Sequence, residues 1–329
     1  LAFFSRVFLN LKRQPSKSQS LDDQRHKFAI DRRSFVKGSL IPALLPLATS
    51  LSGLSCPAAQ STSAAPEIID TNVHLFDWPF RRLKYDRTEA LVAKLRKHRI
   101  TKAWAGSFEA VLHKQLDVVN RRLVEECRMR GDGTLTAIGS VNPAWPGWDE
   151  DLRRCHEQYR MKGVRLYPAY HGYTLDHPDF SRLLAEAAKR ELLVQIVLRM
   201  EDERVHHTAI GIGAVDVAPL PDLVKKLPVA KIQLINSAGP LLGKNVSTLV
   251  RDTQVVFDIA ATEGNGGVGR LIEGKNYSYR GAIPIERLLF GSHAPYFPCE
   301  SALLKLFESP LSLAQLRMLM NENAQRLIS

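Results

Sequence analysis

Short apolar segments, each followed by a helix or a helix-sized gap, recur through residues 66–329, and that alternation limits the fold more than any other feature of the chain. Residues 68–75, 101–106, 135–141, 163–167, 192–198, 231–235, 254–259 and 287–290 have the β-branched and apolar content of strands. Residues 87–98, 112–130, 148–159, 180–189 and 221–227 have helical spacing, with Leu91, Val92 and Leu95 on one side of the first and Pro221 at the tolerated first position of the last. Further helices are expected at 301–308 and 313–327. Strict β/α alternation implies a parallel sheet. Eight units of about 30 residues imply a closed (β/α)8 TIM barrel of the α/β class, a single domain, with an open Rossmann-type sheet as the alternative. The nearly continuous apolar run at 192–198 suits a strand buried on both faces.

A barrel of this kind carries its site at the C-terminal ends of its strands. Those ends hold Asn72 and His74, Gly106 to Glu109, Asn142, Tyr167 to His171, Arg199 to Asp202, Asn236 and Ser237, Asp258 to Glu263, and Ser292 and His293. On the first strand Asp70, Asn72 and His74 alternate with apolar neighbours. A polar row on a buried strand is costly unless its groups are paired or bind something. His74 and His293, on neighbouring strands of a closed barrel, are candidates for general acid/base work, because imidazole titrates near working pH. Structural hydrogen bonds to Asp70, Asn72 or Ser292 are the alternative. Glu201 and Asp202 are candidate catalytic carboxylates, against a solvated charge run. Substrate contacts are expected from Asn72, Arg165, Tyr167, His171, Asn236 and Glu263, with Arg165 and His171 orienting a carboxylate or phosphate; Arg165 is alternatively half of a buried ion pair. His206 and His207 are adjacent and diverge in an extended segment, which disfavours a shared metal. Trp78, Trp145 and Trp148 are expected to wall the pocket or pack the core. The string Gly264-Asn265-Gly266-Gly267-Val268-Gly269 fits a dinucleotide fingerprint, but it follows the seventh strand and not the first of a βαβ unit; cradling of an anion by its amides is the better reading.

The net charge of +11 suggests anionic partners until it is divided. Residues 1–65 hold nine Lys/Arg and three Asp/Glu, so +6 belongs to that stretch and +5 to the rest, where the charges are mixed. Nucleic acid is therefore not an expected partner; a small-molecule substrate is, and a homo-oligomer stays open. Cys56, Cys127, Cys155 and Cys299 have no Cys-x-x-Cys spacing, which excludes a structural zinc knuckle. Residues 1–65 read as a leader. Arg32-Arg33-Ser34-Phe35-Val36-Lys37 is similar to the twin-arginine export signal, with cleavage near Ser63-Ala64-Ala65 and a periplasmic mature chain without a membrane span. The alternatives are a signal anchor and a lipid attached to Cys56, although Gly53 stands where such signals carry a branched apolar residue.

Four motifs in order resemble the amidohydrolase superfamily, in its amidohydrolase-related, aminocarboxymuconate-semialdehyde decarboxylase-like branch of metal-dependent hydrolases. They are Ile69-Asp70-Thr71-Asn72-Val73-His74, Gly163-Val164-Arg165-Leu166-Tyr167-Pro168-Ala169-Tyr170-His171-Gly172-Tyr173, Leu288-Leu289-Phe290-Gly291-Ser292-His293-Ala294-Pro295 and Asn321-Glu322-Asn323-Ala324-Gln325-Arg326-Leu327. The resemblance implies a hydrolase or lyase acting on a small carbonyl or carboxylate compound with one divalent, zinc-like metal. It also implies metal ligands in a His-x-His pair on the first strand, one His each on the fifth and sixth, and an Asp after the eighth. At those places this chain has Asn72 and His74, Val197, Asn236 and His293, so His74 alone is kept. Catalytic zinc needs about three His or carboxylate ligands, and the departure predicts a degenerate metal site or a metal-free barrel that binds a ligand without turning it over.

Overall fold

A computed structural model describes residues 67–207, 211–237, 244–275 and 281–328. The twin-arginine pattern, its cleavage site and Cys56 lie outside them. The described residues belong to one compact unit, Thr62–Ser329.

The eight strands are β1 (Ile68–Leu75), β2 (Ile100–Ser107), β3 (Leu135–Ala137), β4 (Gly163–Leu166), β5 (Leu193–Val197), β6 (Lys231–Ile235), β7 (Val256–Asp258) and β8 (Leu288–Leu289). They lie in two parallel sheets, β1-β2-β3 and β4-β5-β6-β7-β8. Two seams join the sheets into a barrel, which rules out the open alternative. At the first, Gly139 bridges Val164, with Arg165 N–H donating to Gly139 O at 2.7 Å. At the second, Val73 bridges Ala294, and Thr71 N–H, His293 N–H and His74 N–H donate to Phe290 O, Asn72 O and Ala294 O at 2.9, 2.8 and 2.8 Å. β3, β7 and β8 are shorter than the sequence suggests; at β3 and β8, next to the seams, the chain leaves regular pairing for single bridges.

The helices are α1 (Thr88–Lys97), α2 (Leu116–Arg130), α3 (Trp148–Glu157), α4 (Pro168–His171), α5 (Pro178–Lys189), α6 (Leu220–Lys225), α7 (Lys244–Asp252), α8 (Gly267–Glu273), α9 (Cys299–Phe307), α10 (Leu313–Arg317) and α11 (Asn323–Ile328). Each lays an apolar stripe on the barrel where it is long enough to have one: α1 buries Leu91, Val92 and Leu95, and α5 buries Phe180, Leu183, Leu184 and Ala187. The expected helix at 313–327 is broken by a π-turn at Met318–Glu322. This turn presents Leu319 O to Phe290 N–H at 2.9 Å, while the Asn323 amide donates to Ile285 O and Leu288 O at 2.7 and 2.8 Å. Barrel contacts thus override an uninterrupted helix.

At Gly163, a Cβ would lie 2.4 Å from Leu193 O and 2.8 Å from Leu193 Cβ, both in the paired strand β5. Gly163→Ala is therefore expected to cost about 1–3 kcal/mol through a clash that no rotamer relieves, measured as a lower urea midpoint at unchanged slope.

Candidate active site

Inside the barrel the side chains stack in three levels. The lowest is apolar: Ile69, Trp104, Leu193, Val256 and Leu289 are buried together. Above it lies a polar level built by register, since Arg165 faces Gln195 across β4 and β5, and Gln195 faces Gln233 across β5 and β6. Arg165 Nε donates to Gln195 Oε1 at 2.8 Å, Gln195 Nε2 to Gln233 Oε1 at 2.8 Å and to Thr71 O at 2.9 Å, and Gln233 Nε2 to Thr71 Oγ1 at 2.7 Å. Thr71 Oγ1 passes the chain on to Phe290 O at 2.9 Å. One connected network thus runs through β4, β5, β6 and β1 where barrels ordinarily pack branched apolar groups.

The rest of the Arg165 guanidinium is also engaged. One terminal nitrogen donates to Val73 O at 2.8 Å and to His74 Nε2 at 3.0 Å; the other donates to Trp104 O at 3.2 Å and, at 3.5 Å, to Thr71 O. Arg165 is fully buried and, among the described residues, has no carboxylate partner within bonding distance. The expected fork for a substrate anion is therefore replaced by a fork for main-chain carbonyls, and the expected buried ion pair is not formed. Burial lowers its pKa, while the Tyr167 hydroxyl and the nearby Asp258 and Asp70 charges oppose that shift.

The next level holds Asn72, Asn236 and Asp258. Asn72 Nδ2 donates to Asn236 Oδ1 at 2.8 Å and to Asp258 Oδ2 at 2.7 Å, and Asn236 N–H donates to Asp258 Oδ1 at 2.9 Å. Asn236 sits at φ 54°, a left-handed conformation that asparagine tolerates better than most residues, and its own amide donates to Arg199 O at 2.8 Å. Asp70 accepts from Asn72 N–H at 3.1 Å and Ser292 N–H at 3.0 Å. Burial pushes the carboxyl of Asp70 up to about 7 and that of Asp258 up to about 6, against the hydrogen bonds that favour their charged forms.

His74 and His293 meet above this cluster, with ring centroids 5.1 Å apart and edge to face. Accepting from Arg165 at Nε2 leaves the His74 proton on Nδ1, and donating from Nε2 to Met200 O at 2.8 Å leaves His293 with a free lone pair on Nδ1. Both Nδ1 atoms are buried without a partner. Burial holds His74 well below the usual imidazole range and brings His293 down to about 3, so both rings are neutral at working pH. His293 also occupies a left-handed conformation, φ 59°.

Aromatic side chains close the mouth over these rings. Phe108 stacks on His74 at 4.6 Å, Tyr296 stacks on His293 at 4.9 Å, and Trp78 meets Phe108 and Tyr296 edge to face at 5.2 and 5.7 Å. With Tyr167 and Met200 they form a buried cluster separate from the main core. Trp78 thus walls the site, Trp148 packs in the main core under Arg182, and Trp145 stacks on His171. His171 donates from Nε2 to Ala110 O at 2.9 Å, away from Arg165, and the Tyr167 hydroxyl donates to Ser107 O at 3.2 Å.

One cavity, of about 710 Å³, opens past the ends of β1 and β2, lined by Phe76, Asp77, Phe108, Glu109 and Arg122 among others; a second lies beside the axis. This second cavity, of about 380 Å³, sits among the ends of β5, β6 and β7 and the face of α9, lined by Arg199, Glu201, Asn236, Glu263, Ser301 and Lys305 among others. Glu201 is buried and accepts from Tyr296 Oη at 2.6 Å, whereas Asp202 is paired with Arg204 at 2.7 Å and Glu263 is exposed at the rim. Asn236 is the residue shared by the axial cluster and this cavity. The glycine string contributes no anion cradle: Gly264 and Gly266 turn the chain at positive φ, and the Arg270 guanidinium fills the crook, donating to Asn265 O and Glu263 O. His207 stacks on Phe80. Asp258 was expected at a strand end without a role, and Gln195, Gln233 and Lys305 were not expected at the site. The two glutamines had a signal, a lone amide at one level of two apolar runs; Lys305 had none, since a lysine on a surface helix is ordinary.

A family model described as Amidohydrolase matches residues 69–257, more than half of the 329-residue chain. No curated protein matches it. Among solved structures, 5-carboxyvanillate decarboxylase LigW from Sphingomonas paucimobilis is similar with TM-score 0.62 and 13% identity, over 80% of this chain and 99% of that one. The 2,6-dihydroxybenzoate decarboxylase from Rhizobium gives 0.57 and 16%, over 79% and 98%. LigW2 from Novosphingobium aromaticivorans, solved with bound manganese, gives 0.57 and 13%, over 80% and 97%. At such identities the likeness is one of fold, the TIM barrel.

Proposed function

Since the chain belongs to the amidohydrolase family, a family of enzymes, we propose that it is a hydrolase or lyase for a small carbonyl or carboxylate compound, that it takes this compound in the cavity between β5, β6, β7 and α9, and that its chemistry does not pass through an axial metal. The observation carrying this reading is the engagement of the axial donors. His74 Nε2 faces an Arg165 N–H, Asn236 Oδ1 and both Asp258 oxygens are taken by N–H donors, and His293 Nε2 carries a proton for Met200 O. What remains, Asn72 Oδ1, Asp70 Oδ2 and His293 Nδ1, offers one amide oxygen, one carboxylate oxygen and one imidazole nitrogen, with a fixed guanidinium charge nearby. That set falls short of a divalent ion's usual need of about three anionic or imidazole ligands.

Among the described residues, one group of three His/Cys/Asp/Glu has donors close enough to share an ion: His98, Cys299 and Glu300, on the outer face between α1 and α9. The Lys94 ammonium already occupies Glu300 there. The decarboxylases similar in fold act on aromatic carboxylates by their names, which supports the lyase half of the reading and a small carboxylate as the partner. Export to the periplasm, on this reading, rests on the Arg32-Arg33 pattern alone, and among the described residues no helix is long and apolar enough to cross a membrane. The aromatic closure over His74 and His293 favours the second reading, a barrel that binds without turnover.

The test uses untagged full chain, dialysed against a chelator, with release of carbon dioxide from 2,6-dihydroxybenzoate, 5-carboxyvanillate and short oxo acids as the readout. Turnover is expected to survive chelation within about twofold, with metal content well below one equivalent, and Ser301→Trp, which fills the cavity, is expected to lower it more than about tenfold. Stoichiometric zinc or manganese lost together with activity would sink the metal-free part. Full turnover by Ser301→Trp would remove the cavity, and no turnover of any compound would leave the binding barrel.

A further inference from the structure

Lys305 stands out among the groups the barrel axis does not use. Its amine donates to Ile259 O at 3.3 Å and Ala260 O at 2.5 Å, just past the end of β7, while its side chain lines the cavity. A neutral amine has two N–H bonds and one lone pair. With both N–H bonds spent on these carbonyls, the lone pair is the one direction left on nitrogen. Burial brings the ammonium down to about 8, even though the Asp258 and Glu263 carboxylates facing it from the end of β7 favour the charged form. A lysine activated in this way attacks carbonyl carbon.

A second cation shares the cavity. Arg199 at the end of β5 lines it and makes no ion pair among the described residues, and the nearest acids are occupied, Glu201 by Tyr296 and Asp202 by Arg204. One group for a carbonyl and one for a carboxylate define a ligand that carries both.

We propose that Lys305 is the reactive amine of this cavity and that its substrate class is a short 3-oxo carboxylate, held at the carboxylate by Arg199 and joined to Lys305 as an imine. This rests on the reading that substrate enters this cavity. The step balances without an oxidant or reductant. The Lys305 lone pair adds to the ketone carbon, the carbonyl oxygen takes one proton from the nitrogen and one from solvent and leaves as water, and a protonated imine remains. The bond from the neighbouring carbon to the carboxylate breaks; carbon dioxide leaves, and the electron pair passes through carbon to the iminium nitrogen, giving an enamine. A proton from solvent is added at carbon, and water hydrolyses the imine, returning ketone and free amine. No residue of the axial cluster takes part.

The experiment is borohydride reduction of full-length protein in the presence of acetoacetate, followed by peptide mapping. The expected result is a reduced adduct confined to Lys305, with a yield rising from pH 7 to pH 9. Carbon dioxide release from acetoacetate should be lowered about 100-fold or more in Lys305→Arg, which keeps the charge but has no nucleophilic lone pair. The adduct is read on unmodified protein, so a variant that fails to fold does not remove the test. No adduct at Lys305, or adducts spread over exposed lysines such as Lys189 and Lys275, overturns the proposal. If Lys305→Arg still turns over 2,6-dihydroxybenzoate at the parent rate while Ser301→Trp does not, the imine falls and the cavity stands; if Ser301→Trp changes nothing, the cavity itself falls.

Discussion

Arg165→Met is expected to lower the free energy of unfolding by about 3–5 kcal/mol, a large part of what a barrel of this size has to spare. Methionine fills much of the volume, so the loss is not mainly one of packing. It comes from stranding Val73 O, Trp104 O, His74 Nε2 and Gln195 Oε1, each deprived of its N–H donor in a buried place. It also leaves Asp70 and Asp258 without the nearby positive charge that opposes their protonation. Arg165→Lys should recover only part of the loss, because one ammonium cannot reach acceptors spread over β1, β2 and β5. Gly106 is the condition for the arrangement: a Cβ there would lie 2.8 Å from the guanidinium. Urea unfolding followed by tryptophan fluorescence measures the effect, and a loss below about 1 kcal/mol for Arg165→Met would show that the carbonyls find other donors.

The second large effect is on the dependence of stability on pH. Asp70 and Asp258 have folded pKa values of about 7 and about 6, above the ordinary 3.8, so between about pH 4 and pH 7 the folded chain holds protons that the unfolded chain has released. Their contribution is full in acid and declines as pH rises through that window. His74, His293 and His171 are displaced the other way, mainly by burial, so the unfolded chain binds protons that the folded chain refuses and stability falls as pH drops below about 6.5. The two slopes oppose each other. The parent protein is expected to have a nearly flat stability profile from about pH 4.5 to 6.5 and to lose stability steeply below about pH 4, where the histidine effect is no longer opposed and carboxylates held low by ion pairs, such as Glu150 and Glu300, become protonated. His293→Gln removes one opposing imidazole, and at about 1.4 kcal/mol per pH unit it should make the protein about 2 kcal/mol more stable at pH 5 than at pH 6.5, relative to the parent. Melting temperatures across that range decide it; a profile left unchanged by His293→Gln would mean that His293 titrates normally in the folded chain.

How much of this was legible in sequence depends on which interactions leave a trace in residue type. β6 emerged with its bounds intact because Lys231 to Ile235 is an apolar run around a single glutamine, and α1 because Leu91, Val92 and Leu95 recur at helical spacing. Closure into a barrel followed from counting β/α units, but the seams at Gly139 and Ala294 did not, since single backbone bridges impose no residue pattern. The meeting of His74 and His293 could be expected because the first and last strands of a closed barrel are neighbours. The surroundings of Arg165 could not, because most of its acceptors are main-chain carbonyls of β1 and β2, and any residue supplies one. The pattern also placed the candidate site at the strand ends without showing that aromatic side chains fill the axis and that a cavity is left beside α9.

The guanidinium at the centre of the barrel has one further consequence. A dissociable ion obeys mass action: occupancy, and the stability it confers, rise and fall with its free concentration. Arg165 arrives with the polypeptide, at fixed stoichiometry, as soon as the fourth strand is synthesised. If the axis takes no metal, as proposed, maturation of this barrel has no loading step there, no competition among metals of similar affinity, and no form in which the fold is complete but its central cation is missing.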